Sequence, residues 1–296
     1  MKIGETEIQE TFAEAFPMHF VSLIITAADE YWLNAALNEV TGYSASVISC
    51  DAEIGISTRL DPTDTPDGRI GAEVLVFGFS ADALQQAVPN RVGQCVMTCP
   101  STAVYDGNPD SEVRIGLGKK IRFFGDGFQK AKMVADRRYW RIPVMDGEFL
   151  VQDTLNVGRG IGGGNIILQS SCKTAALAAA RRGAEAVAAC SGVIAPFPGG
   201  VARSGSKVGS IYKALPASTA EAYCPTLRGR VESKLLDETV AAYEIVVDGV
   251  DEEAVANGMA AAARAVAGDR ILQIGAGNYG GELGKYHFHL HEVLGS

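Results

Sequence analysis

The stretch Asn165-Ile-Ile-Leu-Gln169 opens the segment that decides the fold, because it is a short apolar run with the length of a buried strand. An alanine-rich stretch over residues 174–189 has the length of a helix, and Gly192-Val-Ile-Ala195 is strand-like again. These segments predict a β-α-β unit. A second unit of the same kind follows, made of Tyr243-Glu-Ile-Val-Val-Asp248, a helix over residues 252–266, and Arg270-Ile-Leu-Gln-Ile-Gly275.

The N-terminal half repeats this order, which indicates an internal duplication. Its predicted strands and helices are, in chain order, Phe20-Val-Ser-Leu-Ile-Ile-Thr-Ala27, residues 30–40, Ser44-Ala-Ser-Val-Ile-Ser-Cys50, Ala72-Glu-Val-Leu-Val-Phe-Gly-Phe79, residues 81–92 and Cys95-Val-Met97. The sequence therefore predicts an α+β fold of two lobes, each a ferredoxin-like β-α-β-β-α-β sandwich. A turn signal near Arg141-Ile-Pro-Val-Met-Asp-Gly147 predicts domains at residues 1–144 and 145–296. Further short strands are expected at residues 121–124 and 287–290.

Composition narrows the class of protein. The 296 residues are 47% hydrophobic with 34 glycines, which is typical of a globular protein that buries a large core. The net charge of −9 argues against nucleic acid and anionic membranes as partners, since such partners need clustered basic residues. No apolar run approaches the ~18 residues of a membrane helix, and no basic leader is present, so we expect a cytoplasmic protein.

The six cysteines do not form a Cys-x-x-Cys pair, so the sequence predicts neither a zinc site nor a disulfide framework. Reduced thiols in the core are the favoured interpretation. These cysteines are Cys50, Cys95, Cys99, Cys172, Cys190 and Cys224.

The run Pro196-Phe-Pro-Gly-Gly-Val-Ala-Arg-Ser-Gly-Ser-Lys-Val-Gly209 has a glycine and hydroxyl density typical of a ligand loop or a subunit-contact loop. It is not a nucleotide-phosphate loop, because no hydroxyl residue follows the lysine in Gly205-Ser206-Lys207-Val208. Its candidate substrate-binding residues are Phe197, Gly199, Gly200, Ser204, Ser206 and Lys207.

The C-terminal segment holds two motifs that resemble better-known sites. Gly275-Ala-Gly-Asn-Tyr-Gly280 matches the dinucleotide fingerprint by letter, but too few residues follow for the helix, strand and acidic residue that such a site needs. A tight turn is favoured, with Asn278 as a candidate substrate contact. His287-Phe-His-Leu-His291 places three imidazoles on one predicted strand face, where they spread too far to bind one ion, so a polar face or an interface is favoured over a metal.

Glu244 is the strongest catalytic candidate, because it interrupts an otherwise apolar strand. Desolvation there would raise the pKa of its carboxyl and favour the neutral acid. A neutral carboxyl can donate a hydrogen bond to an oxyanion that develops on an attacked carbonyl. A glutamate that faces solvent or pairs with an arginine is the open alternative. Weaker candidates for the same catalytic role are Glu53, Asp51 and Glu14.

Several motifs along the chain together resemble the formylmethanofuran:tetrahydromethanopterin formyltransferase family. They are Thr11-Phe-Ala-Glu-Ala-Phe16, Thr65-Pro-Asp-Gly-Arg69, Arg91-Val-Gly-Gln-Cys-Val96, Pro196-Phe-Pro-Gly-Gly200, Ser204-Gly-Ser-Lys-Val-Gly209, Leu215-Pro-Ala-Ser-Thr219, Tyr243-Glu-Ile-Val246 and Ala276-Gly-Asn-Tyr-Gly-Gly281. The resemblance implies transfer of a formyl group between the amine of methanofuran and N5 of tetrahydromethanopterin, without a metal or a nucleotide. The glutamate proposed to be catalytic in that family matches Glu244.

Departures from the methanogen pattern resemble the bacterial branch, whose members belong to a formyltransferase/hydrolase complex. They are Cys50-Asp-Ala-Glu-Ile-Gly55, Arg203 and Cys99-Pro-Ser-Thr102. The resemblance implies a homotetramer whose chains each have a distal and a proximal lobe, and a place in formaldehyde oxidation or methanogenesis. A non-catalytic scaffold within such a complex is the competing interpretation, since fold alone permits it. A folate-type formyltransferase is weaker, because no Asn-His-Asp set is evident.

Overall fold

The computed structural model describes residues 1–295 except Ala135 and Ser206. Its strands are β1 (Lys2–Ile3), β2 (Thr6–Ile8), β3 (Phe12–Thr26), β4 (Glu53–Leu60), β5 (Gly71–Gly78), β6 (Ala103–Asp106), β7 (Arg114–Gly116), β8 (Lys130–Val134), β9 (Arg137–Val144), β10 (Gly147–Gln152), β11 (Thr154–Asn156), β12 (Gly158–Ser170), β13 (Val193–Ile194), β14 (Lys207–Val208), β15 (Ala217–Ser218), β16 (Ala241–Gly249), β17 (Ile271–Gly275) and β18 (Tyr286–His289). Its α-helices are α1 (Glu30–Val40), α2 (Ala81–Arg91), α3 (Gly118–Ile121), α4 (Lys173–Ala188), α5 (Glu252–Val266) and α6 (Leu290–Val293).

Contacts divide the chain into two compact units. Lobe A is Met18–Gly160, and lobe B combines Met1–Pro17 with the described residues from Ile161 onward. The long strand β3 therefore contributes to both units. The domain boundary between residues 144 and 145 stays a prediction.

Lobe A follows the order β3-α1-β4-β5-α2-β6, and its sheet has the strand order β4-β5-β3-β6 with antiparallel neighbours. Its helices begin at capping residues, since Asp29 Oδ1 accepts from the Trp32 N–H and Ser80 Oγ accepts from the Ala83 N–H, both at 3.1 Å. Buried side chains of the strands, such as Leu23 and Val74, and of the helices, such as Leu33, form one core.

Lobe B repeats that topology with β12-α4-β13-β16-α5-β17, and its sheet has the order β13-β16-β12-β17, again antiparallel. If the four strands of each lobe are numbered in chain order, both sheets have the order 2-3-1-4, which is the ferredoxin-like arrangement. The predicted α+β fold with two duplicated lobes is confirmed.

Strand alternation decides which side chains of lobe B face the helices. Ile245 and Val247 of β16 are fully buried in the core with α4 and α5. Gly183 of α4 allows close approach, because a Cβ at this position would lie 2.5 Å from Ile245 Cδ1. Since neighbouring side chains point to opposite faces, Glu244 lies on the face of the sheet away from these helices.

Three predicted strands are wrong. Residues 44–50 form turns, in which Ser46 O accepts from the N–H groups of Ser49 and Cys50 at 3.1 and 2.7 Å, and β4 begins only at Glu53. Serine side chains that bond to nearby backbone favour such turns over a strand. The run at residues 95–97 lies at the end of a π-turn, Val92–Val96, that continues α2, and β6 is the fourth strand instead.

The predicted strand at residues 121–124 is the third error, because α3 and a 3₁₀ turn, Arg122–Gly125, occupy this segment. A run of three or four apolar residues carries too little periodicity to separate a strand from a helical turn. The strand expected at residues 287–290 is present as β18, although it ends at His289 where α6 begins.

Candidate functional site

The backbone of Glu244 is held on both sides. In the β12–β16 pairing it lies opposite Ile167, and on its other side it forms an antiparallel bridge with Ala202. Ala202 N–H donates to Glu244 O at 2.8 Å, and Glu244 N–H donates to Ala202 O at 3.2 Å. The loop at residues 196–209 is therefore pinned to the sheet at the position of the glutamate.

The Glu244 carboxyl is half-buried, and no hydrogen-bond or ion-pair partner for it is found among the described residues. Burial raises its pKa to about 7. A carboxyl in this range is partly protonated at neutral pH, so it can donate a hydrogen bond as well as accept one. Pairing with an arginine, the alternative left open by the sequence, is not observed within the described part of the chain.

Two tyrosines have phenols within the electrostatic influence of Glu244. Tyr223 lies on a 3₁₀ turn, Glu221–Tyr223, and Tyr279 lies in the glycine-rich loop after β17. Burial raises the pKa of both phenols, and the Glu244 carboxylate raises it further; Glu14 adds to the effect at Tyr279. Both phenols therefore stay protonated at neutral pH, as potential hydrogen-bond donors beside the carboxyl.

Sequence reasoning missed both tyrosines as site residues. Tyr223 belongs to no recognisable motif, because a short 3₁₀ turn in a long connection has no periodic pattern of apolar residues. Tyr279 lies inside the glycine motif, for which the sequence predicted a tight turn. The two glycines directly after Tyr279 permit a compact loop, and they were the available signal that this residue is held in place.

The first part of the loop at residues 196–209 is a 3₁₀ turn, Pro198–Gly200, in which Phe197 O accepts from the Gly200 N–H at 2.7 Å. Phe197 is half-buried. Gly199 and Gly200 have φ of 64° and 76°. Gly199 is exposed and a Cβ there would meet open space, whereas a Cβ at Gly200 would lie 2.6 Å from Ala184 Cβ of α4. Gly200 is thus required for packing, and Gly199 is the one that faces solvent.

The second part of this loop is tied to the turn that carries Tyr223. Ser204 is exposed, and its carbonyl accepts from Ala220 N–H at 3.3 Å. Lys207 Nζ donates to Glu221 Oε1 at 2.5 Å. The structure therefore brings Ser204 and Lys207 to the segment before Tyr223, while Ser206 lies outside the described residues.

Asn278 and Glu53, also predicted to bind substrate, use their polar atoms within the protein. Asn278 Nδ2 donates to Thr11 Oγ1 at 3.2 Å and to Phe12 O at 3.1 Å, and its Oδ1 accepts from Gly280 N–H at 3.2 Å. Glu53 lies in lobe A, is buried, and accepts from Val47 N–H at 2.9 Å. Their roles in substrate binding stay predictions.

Within the described residues, no group of three His, Cys, Asp or Glu side chains could hold a metal ion. His287 and His289 flank the ring of Phe12, with centroids 5.0 and 5.3 Å away. His291 lies in α6, and its Nε2 is 3.0 Å from Ile8 O. The six cysteines are free and half-buried. No helix in the described part of the chain is long and apolar enough to cross a membrane.

The segment that resembles a dinucleotide fingerprint opens no helix. The N–H groups of Tyr279 and Gly281 instead donate to Glu14 Oε2 at 2.6 and 2.9 Å. Donors that would face a pyrophosphate in a dinucleotide site therefore bind a carboxylate of the protein.

The fold and the site define a class of two-lobed, duplicated α+β proteins. Their second sheet carries, on the face away from its helices, a half-buried carboxyl that has no ion-pair partner among the described residues and that raises the pKa of two tyrosines. Residues 1–144 match the family described as formylmethanofuran-tetrahydromethanopterin formyltransferase, and residues 147–293 match the proximal lobe of the same family. The chain belongs to this family, as its sequence motifs predicted.

Relatives in bacteria and archaea span the whole chain. A formylmethanofuran–tetrahydromethanopterin formyltransferase from Methylococcus capsulatus is 47% identical over 99% of this chain and 100% of its own length. A component of the formyltransferase/hydrolase complex from Methylorubrum extorquens is 45% identical over 97% of this chain and 96% of its own. The chain is thus similar both to relatives named for the transferase reaction and to one named as part of a complex.

Solved structures agree with the fold. The formyltransferase from Methanosarcina barkeri has a TM-score of 0.93 at 41% identity, with coverage of 99% of this chain and 100% of that one. The formyltransferase/hydrolase complex from Methylorubrum extorquens, solved with methylofuran, has a chain with a TM-score of 0.95 at 44% identity, with coverage of 99% and 98%.

Proposed function

We propose that the protein is an N-formyltransferase that moves a formyl group between methanofuran, or an analogue such as methylofuran, and N5 of tetrahydromethanopterin. Family membership supports this reaction, and relatives from methylotrophs and methanogens are named for it. The observation that carries the mechanism is the half-buried Glu244 carboxyl, which has no hydrogen-bond partner among the described residues and a pKa of about 7.

The reaction is an acyl transfer between two amines. The nitrogen of the acceptor attacks the formyl carbon, which forms a C–N bond and places negative charge on the formyl oxygen. The neutral Glu244 carboxyl donates a hydrogen bond to that oxygen. Collapse of the tetrahedral intermediate then breaks the C–N bond to the donor amine, which takes up the proton released by the acceptor nitrogen.

Most of the remaining work is orientation of two substrates, since the nucleophile belongs to a substrate and not to the protein. We propose that Phe197, Gly199, Ser204 and Lys207 contact substrate, because their loop is pinned to β16 opposite Glu244. Ser206, Gly200, Asn278 and Glu53 complete the proposed substrate-binding set. Methanofuran and tetrahydromethanopterin are substrates here, and the mechanism needs no bound metal or nucleotide.

The physiological setting is one-carbon metabolism. We propose a homotetramer in the cytoplasm, which in a methylotroph would work with a formyltransferase/hydrolase complex in the oxidation of formaldehyde to formate. The M. extorquens relative is named as part of such a complex, which supports the link to the complex but does not bear on the tetramer. In an archaeal setting the same transfer would serve methanogenesis.

A non-catalytic scaffold is the second candidate function, and an exposed or ion-paired Glu244 would have favoured it. The half-buried carboxyl without an ion-pair partner among the described residues favours the enzyme instead.

The duplication offers a matched control for Glu244. Glu73 of β5 lies opposite Ile24 of β3, as Glu244 lies opposite Ile167 of β12. Both glutamates occupy the third strand of their lobe, on the face away from the helices. They differ in their partners, because Ser22 Oγ donates to Glu73 Oε1 at 2.7 Å.

The test compares formyl transfer from formyl-tetrahydromethanopterin to methanofuran by the native protein, Glu244→Leu and Glu73→Leu. Leucine has no hydrogen-bond donor, so we expect kcat to fall by about 100-fold in Glu244→Leu, on the scale of a lost oxyanion-hole donor, and to change less than about threefold in Glu73→Leu. Equal losses in both variants would refute a specific role for Glu244. No turnover by folded native protein with methanofuran or methylofuran would favour the scaffold.

A further inference from the structure

Glu14 is a fully buried carboxylate that accepts hydrogen bonds from one loop. Its two oxygens accept from four backbone N–H groups: Oε2 from Tyr279 and Gly281, at 2.6 and 2.9 Å, and Oε1 from Leu283 and Gly284, at 2.6 and 2.5 Å. The described residues provide no arginine or lysine as an ion-pair partner for it.

Glu14 is ionised at neutral pH. Burial by itself would raise the pKa of the carboxyl, but the bonds from Gly284, Tyr279, Gly281 and Leu283 outweigh it and lower the pKa below its ordinary value. Four N–H donors that converge on one carboxylate act as an anion-binding nest, with a protein side chain as the anion.

The loop is shaped for this role by its glycines. Gly280 and Gly281 have φ of 77° and 79°, and this left-handed backbone turns the chain so that the N–H groups of Tyr279 and Gly281 both reach Glu14. A Cβ at Gly284 would lie 2.5 Å from Ala15 O, so the end of the loop packs directly on the strand that carries Glu14. The carboxylate and the glycines therefore specify one compact loop conformation.

That conformation fixes Tyr279. Its N–H is one of the four donors to Glu14, and its ring lies 6.4 Å, centroid to centroid, from the ring of Phe16. The loop follows β17, whose last residue, Gly275, pairs with Ile167, and Ile167 pairs in turn with Glu244. The loop thus leaves the sheet from the same row of residues that contains Glu244.

We infer that Glu14 is a positioning residue for the Glu244 centre, because as a buried carboxylate it folds the loop at residues 279–284 and thereby holds the Tyr279 phenol beside Glu244. The inference rests on the proposed function for its effect on catalysis, but not for its effect on the loop. The phenol then provides a second hydrogen-bond donor for the oxygen of the formyl group. The Glu244 carboxylate raises the pKa of the Tyr279 phenol, which agrees with this placement.

The experiment separates the effect of Glu14 on the loop conformation from its effect on catalysis. Glu14→Gln keeps the size of the side chain but replaces one acceptor oxygen with an NH₂ group, which faces two N–H donors. We expect amide hydrogen exchange of residues 275–284 to quicken by at least about tenfold, and kcat to fall by at least about tenfold with KM changed less. Tyr279→Phe keeps the backbone N–H that donates to Glu14, so it should lower kcat about tenfold with a smaller change in exchange than Glu14→Gln. Tyr286→Phe is the control, because Tyr286 is a half-buried tyrosine on β18. It should change neither kcat nor the amide hydrogen exchange of residues 275–284.

Each outcome decides a separate point. Faster exchange in Glu14→Gln with unchanged kcat would overturn the positioning role and leave a structural one. Unchanged kcat in Tyr279→Phe would overturn the role of the phenol, even if Glu14→Gln does not fold. If the native protein has no formyl transfer activity, the proposed function fails. The role of Glu14 in folding the loop can still be tested, because unchanged exchange in a folded Glu14→Gln would reject it.

Discussion

At the scale of single residues, the chemistry depends on the contrast between two carboxyls in lobe B, of which Glu14 is fully buried and Glu244 is half-buried. Glu14 has four N–H donors and is held as the anion, whereas Glu244 has no hydrogen-bond partner among the described residues and is shifted toward the neutral acid. The sequence predicted the raised pKa of Glu244, because an acidic residue in an apolar strand loses water. It ranked Glu14 below Glu244 because the donors to Glu14 come from a loop about 265 residues away, which only the tertiary fold brings near.

The raised pKa of Glu244 has a consequence for stability. The folded-state pKa of about 7 lies above the ordinary value of 4.5, so the folded protein binds this proton more tightly than the unfolded chain. The resulting stabilisation is present below pH 4.5 and is lost as pH rises toward 7. Because the side chain is half-buried, we expect the loss to be about 2 kcal/mol.

Urea unfolding of the native protein and Glu244→Gln at pH 4.5 and pH 8 measures this effect. Glutamine cannot ionise, so the variant should gain about 2 kcal/mol in free energy of unfolding relative to the native protein between the two pH values. A constant difference between the two proteins would mean that the carboxyl titrates at its ordinary pKa.

At the scale of elements, long periodic segments were predictable and short connections were not. The strands β12, β16 and β17 and the helices α4 and α5 appear where the apolar pattern placed them. Residues 44–50 and 95–97 were assigned wrongly, because local serine bonds in the first and a continued helix in the second override a short apolar run. The turn that carries Tyr223 contacts Lys207 through Glu221, and no local pattern signals this contact.

The loop at residues 196–209 offers a matched test of packing against backbone conformation. Gly199 and Gly200 both have positive φ, so alanine at either position costs about 1 kcal/mol of backbone strain. Only at Gly200 does the new methyl group also collide with Ala184 of α4. Gly200→Ala should therefore lower the free energy of unfolding by about 1–3 kcal/mol more than Gly199→Ala, measured by urea unfolding. Equal losses would show that the loop moves away from α4 at little cost.

At the scale of the whole molecule, duplication has produced two equivalent glutamate positions with different surroundings. The repeat was readable from the order of strands and helices, and the third strand of each lobe carries the glutamate in the same pairing position. Single side chains decide which of the two carboxyls has a hydrogen-bond partner. Ser22 Oγ donates to Glu73 in lobe A, whereas the described residues provide no side-chain donor for the Glu244 carboxyl. Duplication fixed the scaffold, and side-chain differences gave one lobe the candidate site.

The proposed homotetramer can be tested at the hairpin that extends the loop at residues 196–209. Between β14 and β15, Ile211 is 89% exposed, and the neighbouring Tyr212 and Leu215 are also exposed. Adjacent exposed apolar side chains of this kind are typical of protein contacts. We expect Ile211→Asp to reduce the molar mass in light scattering from a tetramer to a smaller species, because a buried unpaired charge opposes association.

Val113→Asp is the control, since Val113 is an exposed valine of lobe A outside this hairpin. It should leave the molar mass unchanged. If Ile211→Asp keeps the native mass but raises KM for either coenzyme, the hairpin contributes to ligand binding, which is the other function predicted for the adjoining loop at residues 196–209. A parallel loss of mass and of kcat in Ile211→Asp would mean that the site at Glu244 is complete only in the oligomer, since Ile211 lies on the same connection, between β13 and β16, that pairs with Glu244 at Ala202.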